Sequence, residues 1–235
     1  MRAGGILKGF LLAVLLGMGP VALRAQDYRA FLTVGSYSTF NKYSFIEYDN
    51  SYHSAYSTGP QIAIGGEVPL TSVLGVELSF GLARNDLRVT NSTTRPATEL
   101  TYGVDKMRLS GDLVIHVPGS ILHGRPYLVF GPEFDRLAPY GSAASSYTTP
   151  GFANDSYVVL VRNQELGFNL GGGLELKVLP KQFPHAAVRL DLRDHIFAAP
   201  RYGVPETATT GAFYPVHGPI NNVEVSVGFV VHFEL

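Results

Sequence analysis

Residues 222–235, NVEVSVGFVVHFEL, alternate to the last position. Val223, Val225, Val227, Phe229, Val231, Phe233 and Leu235 fall on one face, and Asn222, Glu224, Ser226, Gly228, Val230, His232 and Glu234 on the other. A period of two puts successive side chains on opposite sides of a strand, so the stretch reads as β with one greasy and one polar face. The pattern recurs in Gln164 to Val178, where Leu166, Phe168, Leu170, Leu174 and Leu176 oppose Glu165, Gly167, Asn169, Gly171, Gly173 and Glu175. Leu74 to Leu82, Met107 to Val117, Ile62 to Val68 and Val188 to Leu192 repeat it. Tyr127 to Asp135 is a strand carrying Pro132, which donates nothing to a ladder and suggests a bulge. Arg29 to Phe40 is strand-like in composition, but its two faces are similar and its phase stays open. No 3.6-residue period competes, so the expectation is an all-β chain of eight strands.

The connections alternate in length. Pro69 to Val73, Pro118 to Arg125 and Leu179 to His185 are short and Pro-marked. Asn41 to Thr58, Arg84 to Thr101, Leu137 to about Asp155 and Ala198 to Ile220 are long, rich in small polar residues and Tyr, and fall at the same end. An even-stranded, up-and-down antiparallel transmembrane β-barrel with short periplasmic turns and long outer loops has this layout.

Alternation does not say which face is outside. A soluble lipocalin-like barrel would wet its charged face, yet the chain holds only 16% charged residues against roughly 25% in soluble domains. Its polar face is instead studded with Gly65, Gly75, Gly81, Gly131, Gly167, Gly171, Gly173 and Gly228, which suits a cramped interior. The apolar face then meets lipid, where a midplane charge costs about 2–4 kcal/mol. Asp194 falls on that face, so its strand is expected to have left the hydrocarbon, or changed phase, before it. Residues 1–25 carry Arg2 and Lys8, an apolar run from Gly9 to Leu23 and small residues before Gln26, the plan of a secretory signal peptide. Residues 26–235 are then one barrel domain, with no segment long enough for a membrane helix. A net charge of −1 leaves no basic field for nucleic acid, and Cys 0 removes disulfides and thiolate chemistry.

On these features the chain resembles the OmpA-like family of small outer-membrane β-barrels, the eight-stranded class with OmpX and Opa-type surface proteins. The resemblance spans about Asp27 to Leu235 and implies a bacterial outer-membrane address. It also implies that Phe229, Val231, Phe233 and Leu235 act as the signal read by the barrel-assembly machinery, with Leu235 in place of the usual Phe. The OmpA peptidoglycan-binding domain is expected to have no counterpart, because the barrel pattern runs to Leu235.

Seven His residues show no i, i+2 or i, i+4 pair, so neither metal nor cofactor is expected. The enzymatic rival, a lipid A deacylase or acyltransferase, needs a Ser nucleophile with a His base, and the chain offers only His53 next to Ser54. Tyr28, Tyr43, Phe45, Tyr102, Tyr127, Tyr157 and Phe197 fall near strand ends, where amphipathic rings favour the membrane interface. The remaining loop aromatics suit contact with an extracellular ligand. Hairpin arithmetic sets Glu175 beside Arg189 and Glu67 beside Glu77 on the polar face. With Arg108, Asp112, Glu133, Asp191 and Arg193 they form a lumen charge network, with Asp135 a further acid on the same phase. The expected function is non-catalytic: a structural or surface-interaction, adhesin-like barrel whose partners are outer-membrane lipid, the assembly machinery and a loop-bound ligand, without a wide pore.

Overall fold

A computed structural model describes residues 27–40, 42–47, 50–92, 98–119, 124–139, 159–160, 163–177, 183–198, 202–203, 213–214 and 219–234. The expected signal segment, Leu235 and most of the Leu137 to Asp155 loop lie outside these. The strands are β1 (Asp27–Thr39), β2 (Lys42–Glu47), β3 (Asn50–Tyr56), β4 (Gly59–Pro69), β5 (Leu74–Asn91), β6 (Thr98–His116) and β7 (Gly124–Pro139). They continue with β8 (Val159–Leu160), β9 (Asn163–Leu176), β10 (Ala186–Ala198), β11 (Tyr202–Gly203), β12 (Phe213–Tyr214) and β13 (Pro219–Glu234). Eight of them are staves, paired in the order β1, β4, β5, β6, β7, β9, β10, β13. The last closes on the first, from Asp27 opposite Glu234 to Thr39 opposite Asn222. Every neighbouring pair is antiparallel, and the result is a closed eight-stranded barrel.

Its polarity is inverted relative to a soluble domain. Leu78, Leu128, Leu166, Leu170, Leu192 and Phe229 are exposed on the outside, whereas Glu77, Glu133, Asn169, Arg189 and His195 are buried inside. β1, whose phase the pattern left open, turns Ala30, Leu32 and Val34 outward and Arg29, Phe31 and Thr33 inward. Along β5 the outward positions are apolar from Leu74 to Leu82. At about 3.3 Å per residue and a tilt near 40°, this belt is roughly 20 Å tall.

Above the belt the polarity reverts, and this explains two departures from the sequence reading and the place of Asp194. Arg84, Asp86 and Arg88 turn outward on β5 while Leu87 is buried, and Tyr37, Phe197 and Ile220 cluster inside. The barrel wall therefore continues beyond the membrane as an ordinary soluble sheet. Most of the expected Arg84 to Thr101 loop is strand, paired from Asn85 opposite Val104 up to Asn91 opposite Thr98. Much of the Asn41 to Thr58 segment is the β2 and β3 hairpin, whose second strand stands on the end of β4 and pairs with the top of β5. Asp194 keeps its outward phase, so of the two alternatives the strand has left the belt, with His195 still buried on the inside.

Two further corrections are local. Pro132 makes no bulge: the offset of β6 against β7 is the same at Ser110 opposite Glu133 as at Leu113 opposite Phe130, and the ladder is only interrupted between them. Tyr127 and Phe197 are not interface anchors; both are buried in the lumen. Tyr28 does stack on Phe233 at the periplasmic rim, with centroids 5.9 Å apart.

The belt generates a position-dependent cost. Leu78→Arg should destabilise the folded barrel in lipid vesicles by about 2–4 kcal/mol, read from urea titrations of refolding. Thr101→Arg, outward but above the belt, should change stability by less than about 0.5 kcal/mol.

Candidate functional site: the lumen charge network

The inward positions carry the cations Arg29, Lys106, Arg108, Arg189 and Arg193 against the acids Glu67, Glu77, Asp112, Glu133, Asp135, Glu175, Asp191 and Glu224, all buried. Pairing and hydrogen bonding offset the cost of burying ions at this depth. The pairing is organised in three tiers.

At the periplasmic end Arg29 Nη1 donates to Glu67 Oε2 at 3.0 Å, and His116 Nε2 lies 2.7 Å from Glu67 Oε1. Arg29 also meets the His116 ring. Below them, at the rim, His232 Nδ1 is 2.9 Å from Asp27 Oδ1. Burial pushes the Asp27 carboxyl up, but the His232 contact and the Arg29 charge outweigh it and hold the group below its ordinary range.

The middle tier is the densest. Arg189 donates through Nη2 to Glu77 at 2.8 Å and through Nε to Asp191 at 2.8 Å. Its guanidinium carbon sits 4.0 Å from the Phe31 ring centroid and 4.7 Å from that of Tyr127, so its planar faces are covered as well. Arg193 donates to the other Glu77 oxygen at 2.7 Å, to Asp112 at 3.2 Å and to Asp191 at 3.1 Å. The Tyr127 hydroxyl donates to Asp191 at 2.6 Å, and Asn169 to Asp112 at 2.7 Å.

In the upper tier Arg108 donates to Glu224 Oε2 at 2.5 Å, and His195 bridges Glu133 at 2.7 Å and Glu224 at 3.2 Å. Gln61 donates to the second Glu224 oxygen at 2.6 Å. Above it Lys106 reaches Asn222 Oδ1 at 3.2 Å and lies over the Tyr37 and Tyr56 rings.

Glycine makes room for these side chains. A Cβ on Gly81 would lie 2.9 Å from the Arg108 guanidinium, and one on Gly173 would run into the Tyr127 ring. The Gly-rich inner face is therefore the complement of the bulky Arg and Tyr residues opposite it.

All nine residues read from the sequence as lumen charges face inward. The structure brings Glu77, Asp112, Arg189, Asp191 and Arg193 together in one tier and sets Arg108 with Glu133 and Glu67 in the others. The hairpin registers match the arithmetic: Glu175 lies opposite Arg189, and Glu67 opposite Glu77. The side chains part company with it. Arg189 leans away to Glu77 and Asp191, leaving both Glu175 oxygens without a hydrogen-bond partner among the described residues, and Glu67 and Glu77 each take their own cations instead of sharing one. Arg29, Lys106, His195 and Glu224 were missed. Glu224 already stood on the polar face of its strand, and His195 follows from the apolar-face phase of Asp194 beside it, whereas Arg29 needed the phase of β1. Among the described residues no group of His, Asp and Glu has the arrangement to hold a metal ion.

A closed barrel with a lipid-facing belt and an ion-filled core defines an outer-membrane barrel, and the comparisons with known proteins agree. Residues 10–233 match the outer membrane protein beta-barrel domain, and the chain belongs to that family. No curated protein sequence matches it. Among solved structures it is similar to the outer membrane protein OprG from Pseudomonas aeruginosa, with 10% identity, a TM-score of 0.58, and 90% of this chain and 98% of that one covered. It is also similar to a major outer membrane protein from Thermus thermophilus, at 15% identity and a TM-score of 0.52 over 89% of this chain and 100% of that one. At these identities the likeness is one of fold.

The tiers predict unequal costs. Arg189→Ala leaves Glu77 and Asp191 with Arg193 as their one shared cation and should destabilise the barrel by up to about 3–5 kcal/mol, seen as a lower temperature for the heat-modifiable shift on SDS gels. Glu175→Gln removes a carboxylate that accepts no hydrogen bond among the described residues, and should leave that temperature unchanged or raise it. A Glu175→Ala change added to Arg189→Ala should therefore rescue little.

Proposed function

We propose that this protein is a non-catalytic barrel of the bacterial outer membrane, exported by residues 1–25, whose extracellular strands and loops make surface contacts while the lumen serves as its structural core. The observation that carries this reading is the filling of the lumen. Buried, cross-linked ions from seven of the eight staves, with Asn169 donating from β9, occupy an interior that eight strands leave just wide enough for side chains. The contact surface is supplied by the walls that rise above the belt, where β2, β3, β5 and β6 form a continuous sheet with outward Arg88 and Thr101. Such projecting elements are where proteins commonly place binding.

The lumen histidines support a structural role over the enzymatic alternative. His116 is held between the Arg29 guanidinium and the Glu67 carboxylate, and His195 between the Arg108 guanidinium and the carboxylates of Glu133 and Glu224, in the posture of a bridge within the network. A hydrolase would instead present its His to a Ser hydroxyl beside a substrate channel.

In planar bilayers the purified barrel should give no large, stable conductance, and a steady open level of porin size would overturn the filled-lumen reading. Lipid A from cells with and without the gene should have the same acylation pattern; a lost or gained acyl chain would establish the enzyme. Deleting residues 140–155 should abolish binding of cells to whichever matrix the intact protein binds, with the heat-modifiable shift retained.

A further inference from the structure

Outward cations just above the apolar belt gather on one side of the barrel. Arg84 of β5 pairs in register with Asp105 of β6, which accepts from its Nε at 2.8 Å, and Arg136 of β7 stands opposite Met107, the next outward residue of β6 below Asp105. The Arg84 and Asp105 side chains are 59% and 46% exposed, so the pair presents itself outward. Directly beneath Arg84 lies the apolar row of Ile62, Leu82 and Met107, which ends on Arg136. A groove of about 650 Å³ follows this row, bounded by Arg84 above and Arg136 at its end. On the other side of the barrel the outward groups of β10 and β13 at the corresponding boundary are Asp194 and Asn221.

A slot with a greasy lower wall and a cationic upper edge, placed where the belt ends, has the polarity of one lipid molecule standing with its head group up. The long-loop end is the outer side, so this is a lipid of the outer leaflet. We propose that the β5 to β7 face binds an outer-leaflet lipid through its phosphate, with Arg84 and Arg136 clasping the phosphate and an acyl chain lying along Ile62, Leu82 and Met107. Arginine suits this because its planar fork meets phosphate oxygens in pairs. Asp105 holds Arg84 in place and sets a limit on affinity, since its own charge repels the phosphate. The proposal rests on the membrane-barrel reading and adds to it a lipid class and a place.

The test uses the full mature chain refolded into phosphatidylcholine nanodiscs containing lipid A or dephosphorylated lipid A. Lipid retained after transfer to detergent is counted by native mass spectrometry. The wild type should keep lipid A and not its dephosphorylated form, and excess inorganic phosphate should not displace it. Each boundary arginine is worth roughly a fivefold change, so Arg84→Gln with Arg136→Gln should lower retention by at least about tenfold. Asp105→Asn should raise it, a gain that a damaged barrel does not produce. Equal retention of both lipids, displacement by inorganic phosphate, or a double variant and an Asp105→Asn variant that both behave as wild type would overturn the lipid site. Heat-modifiable migration of each variant reports separately on the barrel, so a folded barrel with unchanged retention rejects the lipid site alone.

Discussion

Everything in this molecule follows from the need to satisfy backbone hydrogen bonds where no water is present. Inside hydrocarbon an unpaired strand edge costs several kcal/mol per group, so a sheet that enters the membrane must close. Here closure is the pairing of β1 with β13, which joins the first and last staves over the full length from Asp27 to Thr39. It makes the first and last strands neighbours, and it fixes which side chains share the interior. Pro132 is tolerated within this scheme because its neighbours keep the same offset on either side of it, so one missing donor interrupts the ladder without shifting it.

Closure with only eight staves creates a narrow interior, and that drives the second level of organisation. A wide channel would hydrate its charges, whereas here Arg189, Glu77, Glu133 and His195 are almost wholly removed from solvent. The desolvation of such ions is repaid through shared contacts: Glu77 receives two arginines, one on each oxygen, and Asp191 receives the same two together with Tyr127. Covering the Arg189 guanidinium with the Phe31 and Tyr127 rings adds attraction and excludes water. This polar interior stands in for a hydrophobic core, because lipid already solvates the apolar side chains and leaves no gain from burying them.

The wall also changes character along its height. Within the belt the polar residues face in, and above it Leu87, Val104 and Phe197 face in while Arg84, Asp86 and Asp105 face out. One strand thus crosses two solvents, and its alternation survives while the meaning of each face is exchanged. The same exchange sets the arginines against the top of the lipid layer.

The sequence by itself determined the strand number, the direction of the alternation in the belt, the closed architecture and the hairpin registers, because each depends on residues two apart or on turns a few residues long. Glu175 opposite Arg189 was legible in this way. What only the tertiary structure decided was the phase of β1, the continuation of β5 and β6 beyond the membrane, and the partners of the lumen ions. β1 has two similar faces, so its phase is settled by its neighbours β4 and β13. Glu77 meets Arg189 and Arg193 across the lumen from a distant strand, a contact set by barrel stagger and side-chain reach, which no local pattern encodes.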